Sequence, residues 1–264
     1  PLRSGSLESP YIEIGEMDMK IFRDQRKELR HVKKPAFQDI LYNFPATVQI
    51  DSIVLISGKV TCMIHAKKAN EPGIIRFDEI NAKLYNLTND PIYKTETAFL
   101  ELKADALLMG KGKMTIHLKE RIFDSKNTFT LNGTLSGMDA NELNPILDKN
   151  AFFYVTSGKI DAMDFSFTAD NSRATGKMIM LYHGLNITVK NKQTDDTTAF
   201  EQRFISFFAN RKILDSNPVQ GEEVREGTID FERDAERSVV HYCFRSVLSG
   251  ITSTLFDTRN KKSR

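Results

Sequence analysis

The stretch Asn127–Lys190, NTFTLNGTLSGMDANELNPILDKNAFFYVTSGKIDAMDFSFTADNSRATGKMIMLYHGLNITVK, decides the fold of this chain. Phe129, Leu131 and Leu135 alternate with Thr128, Thr130 and Thr134, the two-residue period of a half-buried strand. Gly137 breaks the pattern, and Asp139–Asp148 gathers Leu143, Ile146 and Leu147 on one side of a short helix. Phe152–Thr168 and Thr175–Val189 return to strand across the turn Asp170-Asn171-Ser172. In the first of them Gly158, Ile160 and Ala162 share one parity, while Met163, Phe165 and Phe167 have the other. A bulge near Ala162 or Met163 would bring all of them to one face. In the second, Met178, Met180 and Tyr182 alternate with Lys177, Ile179 and Leu181, so both faces are partly apolar and are expected to be covered. Ordinary strands run to ~5–6 residues. Strands this long with an apolar face need a cover, supplied either by the chain's own helices or by a ligand.

Working outward towards the N-terminus, Ala98–Leu108, Ile74–Leu87 and Val48–Ala66 show the same alternation. Gly110-Lys111-Gly112-Lys113 resembles a phosphate loop only in composition. A strand follows at once, with Met114, Ile116 and Leu118 on one parity, so a hairpin turn is the reading. Short links make neighbouring strands largely antiparallel. Pro35–Pro45 carries Phe37, Ile40, Leu41 and Phe44 at helical spacing. Tyr11–Phe22 is a strand in which a bulge at Gly15 would restore Ile12, Ile14, Met17, Met19 and Ile21 to one side. Lys20–Lys34 is basic through Arg23, Arg26, Lys27, Arg30, Lys33 and Lys34. It is either a solvated loop or a patch facing anionic headgroups.

Towards the C-terminus, Asn191–Thr198 is a polar loop, and Ala199–Leu214 carries Phe200, Phe204, Phe207 and Phe208 as a helical stripe. Glu226–Glu232 is a short strand, and Asp234 a helix cap for the apolar run Val239–Leu255. These helices cover a sheet face or contact a membrane or partner. The chain is therefore expected to be mainly β: an elongated, curved antiparallel sheet with a short central helix and C-terminal amphipathic helices. Residues 1–10 are expected to be a disordered cloning remnant, 11–190 an antiparallel β-groove domain, and 191–264 a helical cap with a short strand.

Composition narrows the function classes. A formal charge of +2 over 264 residues supports neither a nucleic-acid binder nor an acidic tail. Cys62 and Cys243 have no metal-ligand spacing and read as buried thiols, with a disulfide the alternative in an oxidising compartment. His31, His65, His117, His183 and His241 show no ligand spacing, and no nucleophile elbow occurs. Asp139 and Glu142 suit a helix N-terminus better than paired acid–base chemistry. No run of ~18 apolar residues offers a transmembrane helix. No enzyme, cofactor or metal is expected.

The strings Phe129-x-Leu131-x-Gly133-x-Leu135-x-Gly137-Met138-Asp139, Leu143-Asn144-Pro145 and Ser157-Gly158-Lys159-Ile160 resemble the C-terminal region of AsmA-like proteins. So do Gly176-Lys177-Met178 with Tyr182-x-Gly184-Leu185, and the terminus Phe231-x-Arg233-Asp234 with Ser246–Ile251. The resemblance covers about Val48 to Leu255. It implies a periplasmic protein anchored in the inner membrane, with a long β-groove similar to that of TamB, moving phospholipid towards the outer membrane. The expected partners are phospholipid acyl chains and an envelope protein. On this reading Met114, Ile116, Leu118, Phe129, Leu131, Ile160, Phe165, Phe167, Met178 and Met180 form the groove. A sheet face closed by the protein's own helices is the competing expectation.

Overall fold

The computed structural model describes residues 5–28, 31–95, 98–150, 153–189 and 213–256. The strands are β1 (Ser6–Ser9), β2 (Ile12–Gly15), β3 (Asp18–Asp24), β4 (Thr47–His65), β5 (Gly73–Thr88), β6 (Phe99–Leu108), β7 (Gly112–Arg121), β8 (Phe129–Asp139), β9 (Phe153–Ala169), β10 (Arg173–Val189) and β11 (Glu226–Glu232). Among the described residues the α-helices are α1 (Phe37–Tyr42), α2 (Asn144–Asn150) and α3 (Val239–Leu255). One open, curved, mixed sheet takes all eleven strands, and β4 to β11 follow each other in chain order.

From β4 onward every pairing is antiparallel, as short hairpins require. The edge departs from that expectation, because β1, β2 and β3 all run parallel to β4. One sequence offset holds throughout: Ser6 faces Thr47, Ile12 faces Ile53 and Asp18 faces Lys59. The three pieces are thus one interrupted edge strand. Between Asp24 and Thr47 the chain crosses back to the end where this edge began, a link long enough for a parallel connection. The first ten residues are correspondingly not all disordered, since Ser6–Ser9 is paired.

A crease keeps the apolar residues of these strands together. Glu16, Ser57 and Glu79 are left-handed, at φ 48°, 56° and 53°. They sit close together on neighbouring strands, with the Glu16 N–H donating to Ile56 O at 3.0 Å and the Ser57 N–H to Asn81 Oδ1 at 3.3 Å. Non-glycine residues adopt this conformation at a cost. Here it shifts parity: Leu55 faces Ala82, Gly58 faces Ile80 and Val60 faces Phe77, with irregular register between them. The bulge expected near Ala162 exists too. Leu181 pairs with Ala162 but Tyr182 with Ile160, leaving Asp161 and Ala162 exposed together and Ile160 and Met163 buried on one face.

The far end of the sheet holds the core. There α3 lies on β10 and β11 so closely that a Cβ on Gly250 would stand 2.7 Å from Ile229 Cγ1 and 3.1 Å from Met178 Cε. Tyr242 meets Phe129 edge-on at 6.2 Å. The α2 turn is pinned by Asn144, which accepts from the Val155 N–H at 2.8 Å and donates to Val155 O at 2.9 Å. Ser238, not Asp234, caps α3, accepting from the His241 N–H at 3.3 Å. Asp234 instead accepts from the Glu236 N–H at 2.9 Å. The strand expected at Glu226–Glu232 joins the main sheet beside β10 and does not belong to a separate cap. Of the helix expected over Ala199–Leu214, residues 199–212 and the four phenylalanines lie outside the described residues. Ile213 forms an isolated antiparallel bridge to Phe256, and the Leu214 N–H donates to Leu255 O.

Candidate functional site

Cross-strand pairs bring the ten expected groove residues to one face. Met114 faces Leu135, Leu118 faces Leu131, and Leu131 faces Phe167. Phe165 faces Met178, Met163 faces Met180 and Ile160 faces Tyr182. Glu120 faces Phe129. Their accessibility divides sharply. Phe129, Leu131, Ile160, Phe165, Phe167, Met178 and Met180 are buried in the core onto which α3 packs, whereas Met114, Ile116 and Leu118 on β7 are half-exposed. Seven of the ten are therefore interior to this fold. The sequence shows the shared face but not the helix that closes half of it.

The accessible part of that face lies on β4 to β7. Leu55, Ala82, Leu84, Leu102, Ala104 and Ile116 stand on it in adjoining pairs, all half-buried or more exposed. A shallow depression of about 140 Å³ lies between Phe77 and Ile80 of β5, Ala104 and Ala106 of β6, and Met114 and Ile116 of β7. Two alanines where the neighbouring strands carry large side chains create it. A larger depression of about 720 Å³ spans the same strands and has a mixed lining, with Leu55, Ala82 and Ile116 beside Lys83, Lys103 and His117. There Glu101 collects His117 at 2.6 Å, Lys103 at 3.3 Å and Lys119 at 3.7 Å. The His117 hydrogen bond foremost holds its carboxyl below the usual range. This is a solvated ion-pair network, and it puts charged groups at the border of the larger depression, whereas the smaller one is bordered almost wholly by apolar side chains. The smaller, apolar depression is the better candidate.

The basic segment is not a uniform headgroup patch. Arg26 is engaged with Asp24 at 2.8 Å. Arg23 is half-buried towards Asp234, and burial lowers its pKa. Lys27, Lys33 and Lys34 are exposed, and Arg30 lies outside the described residues. The segment acts as a strap. The Lys34 N–H donates to Ala235 O at 2.7 Å, Arg233 Nη2 to Lys34 O at 3.3 Å, and His31 contacts Glu236 at 2.9 Å. Arg23 also faces His241 in the first turn of α3, whose pKa is pushed down to about 4, by burial first and by the Arg23 and Arg245 charges next. The strap thus joins β3 to the beginning of α3.

Sequence reading missed Glu120. It stands at an apolar parity position of β7, two residues after Leu118, and is buried between Leu100 and Phe129. Burial pushes its carboxyl up to about 7; the Gln38 side chain of α1 bonds to it and opposes the shift, and nearby Asp39 adds to it. A charge in phase with leucines was the available signal. Cys62 and Cys243 are both free and half-buried, and burial pushes the Cys243 thiol up to about 12.

Among the described residues no group of three His, Cys, Asp or Glu is placed to hold a metal ion, and no helix is long and apolar enough to cross a membrane. No family model, curated protein or solved structure matches this chain.

Proposed function

We propose that the chain is a non-enzymatic lipid-binding module that shelters phospholipid acyl chains on the open part of its apolar sheet face. The observation that carries this reading is the continuity of that face from a packed core onto half-exposed residues of β4–β7. An alkyl chain there loses water from its own surface and from the leucines beneath it, at ~0.8 kcal/mol per buried CH₂. A peptide laid on the same face would bring backbone N–H and C=O groups to a surface that cannot satisfy them. The wider setting follows from the AsmA-like resemblance: phospholipid transfer in the bacterial envelope, within a periplasmic protein held at the inner membrane.

A scaffold role is the second reading, favoured by the unequal edges of the sheet. The outward N–H groups of Thr228 and Asp230 on β11 donate to Ser253 Oγ at 3.0 Å and Ser249 Oγ at 3.1 Å of α3. Among the described residues no comparable cap lies along β3, so a partner strand could pair there.

Native mass spectrometry of the protein purified without detergent separates the two. Phospholipid adducts, lost on Ala104→Leu, support the lipid seat. A lipid-free protein that forms a stoichiometric complex with an envelope protein through β3 supports the scaffold.

A further inference from the structure

Phe37, Ile40, Leu41 and Phe44 stand at the spacing of a short amphipathic helix, and α1 turns three of them outward. Ala36 and Gln38 are buried, while Phe37 and Phe44 are exposed and Ile40 is 55% exposed. The reason lies underneath. The amide of fully buried Asn89 donates from Nδ2 to Leu41 O and to Ala46 O, both at 2.9 Å, and Gln38 Nε2 donates to Arg121 O. These polar contacts fasten α1 by its hydrophilic side and leave the apolar stripe outward. Three residues beyond Asn89, the 3₁₀ turn Pro91–Tyr93 raises Ile92 to 79% exposure beside exposed Tyr93.

Phe37, Ile40, Phe44, Ile92 and Tyr93 thus form protruding apolar groups at one end of the sheet. Lys33 and Lys34 immediately precede α1 and Lys94 follows the 3₁₀ turn; all three are exposed. The nearby acids are turned to the protein's own groups. Asp39 accepts from the Ala36 N–H at 2.8 Å, and Asp90 from the Ile92 N–H at 3.0 Å. Exposed apolar side chains with lysines at their border are the arrangement that settles into a bilayer interface, where each cation gains from anionic headgroups. A protein partner would need a pocket for each of these projections; a fluid interface accommodates them without one.

We infer that this end of the sheet, built from α1 and the Pro91–Tyr93 turn, docks the protein on an anionic bilayer. Bilayer docking does not depend on the lipid seat, and can hold or fail without it.

The chain contains no tryptophan, so Ile92→Trp introduces a single reporter. With vesicles of phosphatidylcholine plus phosphatidylglycerol, its emission is expected to shift to shorter wavelength and to be quenched by acyl-brominated phospholipid. Vesicles of phosphatidylcholine alone should give much less. Val224→Trp, exposed in the turn before β11, should stay unquenched in both. The double variant Phe37→Ser, Phe44→Ser should bind the anionic vesicles at least roughly tenfold more weakly. Unquenched emission from the Ile92→Trp variant overturns the inference, as does equal quenching at Val224→Trp. Salt-reversible adhesion without quenching would mean the lysines act alone, and this also overturns it. If the double variant fails to fold, the Ile92→Trp measurement still decides.

Discussion

β7 and β8 lie side by side, and the same apolar face changes character between them. On β7, Met114, Ile116 and Leu118 are half-exposed; on β8, their neighbours Leu135 and Leu131 are buried. The strands do not differ in pattern, since both alternate apolar and polar residues. They differ in what lies above them. α3 packs on β10 and β11, and α2 reaches β9 and the end of β5 near Gly73, so the middle of β5–β7 stays more open than β8–β11. The pleat decides which residues share a face, and elements far away in sequence decide whether that face is core or surface.

The sharpest way to break the comparison is a carboxylate on the covered half. Phe165 is 3% exposed, and its ring fills the space above Gly133, where a Cβ would lie 2.3 Å from it. Phe165→Asp removes that ring and buries an unpaired charge, so it should cost more than about 4 kcal/mol and abolish cooperative folding by circular dichroism. A folded Phe165→Asp protein would mean that the covered half opens readily.

Glu120 tests the seam beneath α1. Its folded pKa of about 7 lies above the usual carboxyl value, so the neutral form is favoured by folding. Stability should therefore fall as pH rises from the unfolded carboxyl range towards 7 and level off above it, by roughly 3 kcal/mol in all. Chemical denaturation of Glu120→Gln should show that slope removed. If the slope survives, another group carries it.

The α3 contact gives a smaller effect. Gly250→Ala must displace Ile229 or lift the helix, at about 1–3 kcal/mol, partly offset by ~1 kcal/mol of better helix propensity. Its melting temperature should drop modestly; an increase would show that α3 rides loosely on β11.

The smallest stability effect sharpens the comparison most. Ile116→Asp on the open half places its carboxylate where water reaches, and should change stability by no more than about 1 kcal/mol. Alkyl-chain capture, read by a spin-labelled fatty acid, should nevertheless fall. Equal capture by the variant would remove β4–β7 as the lipid seat.

Much of this fold was legible in residues. Alternation placed β4 through β10, and the parity breaks at Gly15 and Ala162 announced a need for correction that the structure meets with creases. Three features were hidden. The parallel edge depends on where a loop returns, which alternation does not encode. The outward stripe of α1 depends on Asn89, whose burial follows from a turn in another strand pair. The closed half of the face depends on α3, whose apolar run was visible while its docking place was not. Of the candidate site, the shared face of the ten residues was readable from parity, and their division into covered and open sets was not.

The crease at Glu16, Ser57 and Glu79 also constrains how such a sequence can change. Deleting one residue on either side of it in β4 alone would send Leu55 or Val60 to the wet face while β5 kept its own phase. The error would be shared by both neighbours of β4, since each reads its register from that strand. Length changes here are tolerable only as matched sets across three strands. A loop can drift one residue at a time, but these strands are bound to a common reading frame.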